Sequence, residues 1–431
     1  MFMKSKKTAN TDKKALPELS PELRFLVLAA CRKSDAGRDA QILELYHSGL
    51  NPEVLTKEAE DHRLYSIVSH NLKRLGIDKD PVFTHIMDRA KSYTMLSFSM
   101  IRELVAVMKT LQENGIEAVL IKGPILAQML YGNVTLRPSK DLDILIQQKD
   151  FRRGTELLEA MGYENVLGLN TPRKREYFFS HPVYHDIELR KGDVCVELHW
   201  RANSFDDLTY EELTDSRETM TIGGLAMKVP ERYSYAYYLF GHAARHGFAR
   251  YRWLMDLYEI LLLEDWPSLE ELYAYFRGKR AEFIILLTLR YMSYTNLISL
   301  RASGDREEDD KVLLQIKLGA DERRIELKAA VRDWKRACDL MISSTDSYKI
   351  AYGEYSREFN VYMTECGYHF KQGKKSTLTI TRAEFTQYDI PDRYFFVYYI
   401  LRIRHWLVKE SALAAFLCEI GRIRHDIKTH H

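Results

Sequence analysis

The sequence predicts an α+β protein in which a small mixed β-sheet core lies between two helical regions. Apolar residues recur at three- and four-residue spacing before Gly115 and again after Pro230, as they do in amphipathic helices. Between these positions the pattern changes to short alternating or continuously apolar runs bounded by glycine and polar residues, which is typical of strands. The length of 431 residues allows two or three domains at roughly 150 residues each.

The N-terminal region begins with a basic polar tail and continues as helix. Residues 1–18 are rich in Lys, Thr and Asn, a composition that favours disorder. The stretch 81–114 has the apolar spacing of one long helix or of two in succession. Asn114 and Gly115 are expected to end it, because both residue types tolerate the positive φ of a C-terminal cap.

The central region alternates strands with helices. Residues 117–121 form an apolar run that predicts a buried strand, and Pro124 opens a short helix that reaches Tyr131. Proline is tolerated at this point because an amide in the first helical turn has no partner within the helix. Residues 141–146 alternate and then run apolar, which predicts a second strand.

The rest of the central region predicts one helix and two hairpins. A helix is expected at about 150–161, followed by strands at 183–189 and 194–200 that are joined by a turn at 191–193. A second hairpin is expected at 220–229, around two adjacent glycines.

Beyond Pro230 the pattern is helical to the end of the chain, apart from a β-prone patch at 377–385. The predicted organisation is therefore a disordered tail at 1–18, a helical region at 19–115, the mixed core at 116–230 and a second helical region at 231–431.

Composition limits the class of function. Lys and Arg number 63 against 61 for Asp and Glu, so the formal charge is +2 and a nucleic-acid partner is disfavoured. The five cysteines are scattered, as expected of a reduced protein without a disulfide framework. No apolar run reaches the roughly 20 residues of a membrane span, and no signal-peptide core follows the basic start. These features predict a cytoplasmic protein without a membrane span.

Asp141 and Asp143 lie two residues apart at the start of the strand predicted at 141–146. Because strand side chains alternate, both carboxylates face the same side. Two carboxylates held so close repel each other unless a divalent cation lies between them. Mg²⁺ is suited to this position, since it combines a few carboxylates with the phosphate oxygens of a nucleotide.

The residues before this acidic pair include groups that can bind phosphate. Gly123 lies where a strand gives way to a helix, so free amides and the helix dipole can hold an anion. Lys122 adds a point charge, and Arg137 adds a guanidinium that can grip phosphate at two places. Each residue also has an ordinary structural explanation, as a tight turn or as solvated surface.

A third carboxylate, Glu197, lies on the strand predicted at 194–200. If this strand pairs beside that of Asp141, Glu197 joins the same cluster, either as general base or as ligand of a second metal. His199 follows two residues later on the same face. It is a candidate for orienting a phosphate or the base, and a hydrogen-bonded structural role is equally open.

His242 and His246 are spaced to share one face of a helix, as zinc ligands can be. The residue after His242 is Ala243 rather than Glu, so this is not the helix of a metalloprotease. Histidines that line a pocket or pack in the core are favoured over a metal site, and both are candidates for contact with a nucleotide.

Taken together, these motifs resemble the bacterial nucleotidyltransferase-like family of uncharacterised proteins, within the polymerase-beta nucleotidyltransferase superfamily. Segments 120–131 and 136–146 are similar to its patterns L-K-G-x-x-L-A-x-x-x-Y and x-R-P-x-x-D-I-D-L-L-V. Glu197 matches an acid two residues before His-Trp, and residues 242–256 resemble an H-x-x-x-H…W-x-x-D stretch. The likeness covers over half of the chain, to about residue 265.

The resemblance implies a polymerase-beta type sheet and an enzyme that moves an NMP group from an NTP, such as ATP, to a hydroxyl or phosphate acceptor. It implies a two-metal site for Mg²⁺ or Mn²⁺ with Asp141, Asp143 and Glu197 as catalytic residues and ligands. The nucleotide would be bound by the remaining candidates, Lys122, Gly123, Arg137, His199, His242 and His246.

The family setting adds an expectation about the acceptor and leaves one alternative. By analogy, the acceptor is an unknown small molecule, a sugar phosphate or a modified peptide, in the tailoring of a peptide natural product or a surface polysaccharide. The superfamily usually has Gly-Gly or Gly-Ser where this chain has Lys122-Gly123, and the third acid is often Asp rather than Glu197. The alternative is therefore a catalytically inactive module that binds a nucleotide or a phosphorylated ligand.

Overall fold

The computed structural model describes residues 18–181, 184–202, 208–303, 311–318, 323–345 and 379–409, and it divides the chain into two compact units. The predicted disordered tail therefore lies outside the described residues, apart from Glu18. Neither unit is one continuous stretch of sequence, and the predicted domain boundaries stay a prediction. The described residues of the first unit fall within 1–94, 135–138 and 236–369, and those of the second fall within 95–134, 139–235 and 370–431.

The described chain opens with three helices that begin at polar capping residues. The side chain of Asp35 accepts hydrogen bonds from two amides of the second helix, and Asn51 does the same for the third. The long helix ends just before Gly115, whose φ of 74° agrees with the predicted cap. In order, these are α1 (Pro21–Ala29), α2 (Ala36–His47), α3 (Pro52–Asp61), α4 (Tyr65–Leu75) and α5 (Thr84–Glu113).

The central elements confirm the predicted strands, the helix that begins at Pro124, the helix near 150–161 and both hairpins, and they add a short strand and two helices that were not predicted. They are β1 (Ala118–Leu120), α6 (Pro124–Tyr131), β2 (Asp141–Ile146), α7 (Phe151–Ala160), β3 (Glu164–Asn165), α8 (Pro172–Ser180), β4 (Asp186–Lys191), β5 (Val194–His199), α9 (Tyr210–Thr214), β6 (Thr219–Ile222), β7 (Leu225–Lys228) and α10 (Arg232–Arg245).

Five of these strands form one mixed sheet in the order β1-β2-β5-β4-β3, so the α+β class is confirmed. Strand β2 is antiparallel to β1 and parallel to β5, and β4 returns antiparallel beside β5. The parallel register places Asp143 beside Glu197, and the hairpin register places Asp186 opposite His199.

The sheet has one apolar and one polar face, because its strand side chains alternate. Leu142, Ile144 and Leu198 point into the core, where they join buried residues of α5 and α7. Asp143 and Glu197 occupy the alternate positions and therefore share the opposite face. Burial of the apolar face thus fixes which side of the sheet carries the candidate site.

The prediction of uninterrupted helix after Pro230 was wrong for part of the first unit. Residues 298–330 contain an antiparallel sheet, which the alternation of buried Leu314, Ile316 and Leu318 with outward residues could have indicated. The elements are α11 (Tyr251–Leu262), α12 (Leu269–Gly278), α13 (Glu282–Tyr294), β8 (Ile298–Ser303), β9 (Lys311–Leu318), β10 (Arg323–Ala330) and α14 (Val331–Thr345), with sheet order β10-β9-β8.

The predicted β-prone patch at 377–385 was also wrong. Residues 377–378 lie outside the described residues, and the chain then enters a helix, α15 (Arg382–Gln387). Thr381 and Glu384 form a capping box at its start, which favours helix over strand. A last helix, α16 (Val397–Lys409), follows, and buried Phe385 and Tyr398 add to the core of the second unit.

None of the helices in the described part of the chain combines the length and hydropathy needed to cross a bilayer.

Candidate active site

A tight turn between β1 and α6 brings Lys122 onto the polar face of the sheet. Gly123 has φ 68° and ψ −130°, a conformation that side-chain-bearing residues rarely adopt. A Cβ atom there would lie 3.3 Å from the backbone oxygen of Asp141 and 3.4 Å from Oγ of Ser139. Glycine therefore lets the turn approach the start of β2, and Nζ of Lys122 lies 2.6 Å from Oδ1 of Asp143.

Asp143, Glu197 and His199 form a compact cluster of metal-ligand types. One donor atom of each lies within 4.8 Å of the others. Nε2 of His199 is 3.3 Å from Oδ1 of Asp143 and 3.5 Å from Oε2 of Glu197. Within the described residues, that Asp143 oxygen and both ring nitrogens of His199 are buried without a well-aligned hydrogen bond. The neighbouring carboxylate oxygens of Asp143 and Glu197 are the ligands that Mg²⁺ prefers, so the residues present fit a divalent cation.

Asp141 lies beside this cluster rather than within it. Its side chain is half-buried, and its Oδ1 accepts a hydrogen bond from Oγ of Ser139 at 3.2 Å. Among the described residues, the groups of three potential ligands do not include it. Asp141 shares a face with Asp143, and its role as a metal ligand stays a prediction.

The two neighbouring acids have pKa values shifted in opposite directions. Burial would raise the pKa of Asp143, but the charge of Lys122 and the nearby imidazole of His199 hold it well below its usual range. Burial raises the pKa of Glu197, and the negative charge of Asp143 adds to that rise. Asp143 is thus a permanent anion near neutral pH, whereas Glu197 accepts a proton more readily than an ordinary glutamate.

His199 carries a positive charge at neutral pH. Burial lowers the pKa of its imidazole, but the carboxylates of Asp143 and Glu197 outweigh burial and raise it to about 9. The face therefore contains two cations and two carboxylates in contact, with Lys122 and His199 both beside Asp143.

The same face extends across β4 into a second group of potential ligands. His185, Asp186 and His199 also offer donor atoms within 4.8 Å of one another. Oδ1 of Asp186 contacts Nε2 of His185 at 2.9 Å and a guanidinium nitrogen of Arg382 at 2.6 Å. Burial opposes ionisation of Asp186, yet His185 and the other neighbouring cations hold its pKa well below the usual range.

Sequence reasoning missed Asp186 and Arg382. A partial signal existed for Asp186, because the predicted hairpin brings residue 186 near the end of the strand at 194–200. The observed register, in which Lys191 pairs with Val194, decides that it lies opposite His199. No comparable signal existed for Arg382, because it lies in α15, 196 positions after Asp186.

Arg137, predicted to grip phosphate, contacts an acid of the first unit. Its Nε lies 2.9 Å from Oδ1 of Asp256, and a terminal nitrogen lies 2.8 Å from Oδ2. The two side chains are 3% and 4% exposed. Tyr93 donates a hydrogen bond to the carbonyl of Arg137, and Arg252 donates one to the carbonyl of Pro138. The R-P and W-x-x-D motifs therefore meet, and phosphate binding by Arg137 stays a prediction.

His242 and His246 belong to an aromatic cluster of the first unit. Their ring centroids are 4.6 Å apart, and His246 stacks on Trp253 at 5.0 Å. The guanidinium of Arg250 lies 5.6 Å from the centroid of Trp253. The described residues place neither histidine in a metal-ligand group, and their contact with a nucleotide stays a prediction.

These features define a class of protein: an α+β fold whose mixed sheet has a packed apolar face and a polar face with a carboxylate–histidine cluster suited to a divalent cation. The chain belongs to the family described as uncharacterised nucleotidyltransferases, whose family profile matches residues 48–292. Membership indicates a transferase that uses a nucleoside triphosphate. The matched range contains Lys122, Asp143 and Glu197 but not Arg382. No curated protein and no solved structure matches the chain.

Proposed function

We propose that this protein transfers a nucleotidyl group from a nucleoside triphosphate to a hydroxyl or phosphate acceptor, with Mg²⁺ or Mn²⁺ as cofactor. The observation that carries the proposal is the pairing of buried Asp143 with Glu197 on one face, within reach of the Lys122-Gly123 turn. Bound cations would neutralise charge on the reacting phosphate and the leaving pyrophosphate. Asp143 and Glu197 would hold them, together with Asp141.

The opposite directions of the two pKa shifts support different roles for the paired acids Asp143 and Glu197. Asp143 is 1% exposed and stays ionised, so it serves as a fixed ligand. The side chain of Glu197 is 29% exposed and has a raised pKa, so it can take the proton of an acceptor hydroxyl. The acceptor oxygen then bonds to the α-phosphorus, and the bond to pyrophosphate breaks with its electron pair leaving on pyrophosphate.

The remaining candidates would bind and orient the nucleotide. The backbone amides that follow Gly123 and the ammonium of Lys122 would hold the triphosphate. The protonated imidazole of His199 lies beside Glu197 and would orient that carboxylate. Arg137, His242 and His246 are proposed as further nucleotide contacts. A sugar phosphate or a modified peptide, in a natural-product or polysaccharide pathway, is proposed as acceptor on family analogy alone.

The test is pyrophosphate release from each NTP with Mg²⁺ and a panel of hydroxyl and phosphate acceptors. The double variant Asp141→Asn/Asp143→Asn should lose activity by on the order of 100-fold or more, because its cation ligands are neutral. EDTA should stop the wild-type reaction, and Mg²⁺ or Mn²⁺ should restore it. Asp193→Asn, at an exposed hairpin turn, is the matched control. Undiminished activity in the double variant would remove the metal site from the mechanism.

One observation favours a second candidate function, a non-catalytic nucleotide-binding module. Lys122 already supplies a positive charge at Oδ1 of Asp143, where a catalytic cation would bind. Tight NTP binding without pyrophosphate release for any acceptor would support this second function over the first.

A further inference from the structure

The ammonium of Lys122 and a bound divalent cation would compete for the same carboxylate oxygen of Asp143. Nζ of Lys122 lies 2.6 Å from Oδ1 of Asp143, and this oxygen belongs to the donor cluster formed with Glu197 and His199. Mg²⁺ binds a carboxylate oxygen at roughly 2.0–2.1 Å, a distance that leaves no room for an ammonium on the same side. A metal at this cluster therefore has to displace Lys122 from Asp143.

Lys122 has the chemical character of a replaceable cation. A lysine ammonium is a compact point charge on a flexible stem, unlike the planar fork of arginine. The side chain of Lys122 is 18% exposed, whereas that of Asp143 is 1% exposed. The ammonium can therefore swing toward solvent while the carboxylate stays in place.

Once displaced from Asp143, the ammonium of Lys122 could bind the triphosphate of a nucleotide instead. Lys122 directly precedes Gly123, and the helix begins at Pro124, so the amides of Ile125 and Leu126 in its first turn have no partner within the helix. The triphosphate of a nucleotide held at that helix start would attract the released ammonium. Nucleotide binding would then reduce the cost of removing Lys122 from Asp143.

We infer that Lys122 is an exchangeable counter-cation that holds Asp143 in the metal-free protein and moves to the triphosphate when a divalent cation binds. This inference rests on the proposed function and adds a regulatory step to the same site. The exchange weakens metal binding in the absence of nucleotide. It also couples binding of the divalent cation to binding of the nucleotide, in addition to any direct contact between them. Such coupling is reciprocal, because each ligand must change the affinity of the other by the same factor.

The test measures Mn²⁺ binding to the full chain by the loss of the free-ion electron paramagnetic resonance signal, without nucleotide. Lys122→Met should bind Mn²⁺ about tenfold more tightly than wild type, because the competing charge is gone. Lys122→Arg keeps a cation at the turn and should not tighten binding. Arg152→Met removes a cation that pairs with the exposed Glu176 instead, and Lys149→Met removes an exposed one. Both control variants should change the affinity by less than about twofold.

A second measurement repeats the titration with a non-hydrolysable ATP analogue. The analogue should tighten Mn²⁺ binding to wild type more than it tightens binding to Lys122→Met, and the ratio is the part of the coupling due to Lys122. Equal Mn²⁺ affinity in wild type and Lys122→Met, with or without analogue, overturns the exchange while leaving the metal site intact. Tightening by Arg152→Met as large as that by Lys122→Met would also overturn it. Absence of Mn²⁺ binding in every variant would instead overturn the proposed function.

Discussion

Each unit of the molecule contains an ion pair with a buried aspartate, and the two pairs differ in how far the cationic side chain is exposed to solvent. In the first unit, Arg137 meets both oxygens of Asp256, and the side chains are 3% and 4% exposed. In the second, Lys122 meets Oδ1 of Asp143 and is itself 18% exposed. The guanidinium matches the carboxylate with two parallel contacts, whereas the ammonium is a point charge.

The difference separates a positioning pair from an exchangeable one. The Arg137 pair lies in the loop at 135–138, whose carbonyls also accept hydrogen bonds from Tyr93 and Arg252, so it holds a backbone segment. Asp143 adjoins Glu197 and His199 and would gain a metal if Lys122 left. Two aspartates with similar burial can therefore serve stability in one case and ligand binding in the other.

The largest expected effect on stability comes from breaking the ion pair between Arg137 and Asp256. Asp256→Asn leaves the buried guanidinium of Arg137 without a counter-charge, which should reduce the free energy of unfolding by about 3–5 kcal/mol. Urea unfolding of the purified variant measures this loss. The double variant Arg137→Met/Asp256→Leu should lose less, because no buried charge is left unpaired. A loss below about 1 kcal/mol for Asp256→Asn would contradict the positioning role.

An intermediate effect is expected at Gly123, in the turn that places Lys122 beside Asp143. Gly123→Ala imposes a Cβ on φ 68° and places it 3.3 Å from the backbone oxygen of Asp141. The strain should cost about 1–3 kcal/mol in unfolding free energy and should lower nucleotide affinity. Gly192→Ala, in the exposed hairpin turn with φ 56° and open space around its Cβ, is the control for positive φ alone. Equal losses in the two variants would mean that close approach to β2 is unimportant.

The smallest effect concerns a third buried acid, Glu259 of the first unit, whose Oε2 lies 3.5 Å from Nε of Arg32. Burial raises the pKa of Glu259 despite this cation, in contrast to Asp143. The folded state therefore binds a proton here more readily than the unfolded chain. The resulting stability is present below the ordinary pKa and is lost as the pH rises through the raised value.

Glu259→Gln removes that titration. The melting temperature of the variant minus that of wild type should become more positive from pH 4 to pH 7, by an amount equivalent to about 1 kcal/mol or less. Thermal unfolding at several pH values measures the difference. A difference that is constant or falls with pH would show that Arg32 compensates the buried charge.

The elements around the candidate site were predictable because their signals are local. Alternation predicted the strand with Asp143, and Pro124 and the glycines predicted where helices and turns begin. The same period in β9 was overlooked within a region read as helical. The β-prone patch at 377–385 was misjudged because the capping box of Thr381 and Glu384 outweighed strand propensity.

The partners of the site residues were less predictable because they are distant in sequence. Arg382 reaches Asp186 from 196 positions away, and the acid that pairs with Arg137 lies 119 positions away. Which of Asp141 and Asp143 lies beside Glu197 also depends on a distant segment, because the parallel register of β2 and β5 decides it.

The amino-acid sequence alone determined the strands and the helix start that carry the candidate site, the shared face of Asp141 and Asp143, and the family motif, since these depend on neighbours within a few residues. The tertiary structure decided that Asp143 lies between Lys122, Glu197 and His199 and that Arg137 faces Asp256. The reason is that a side chain acquires its charge environment from residues brought together by strand pairing and packing, and neither pairing partner is encoded in the local pattern.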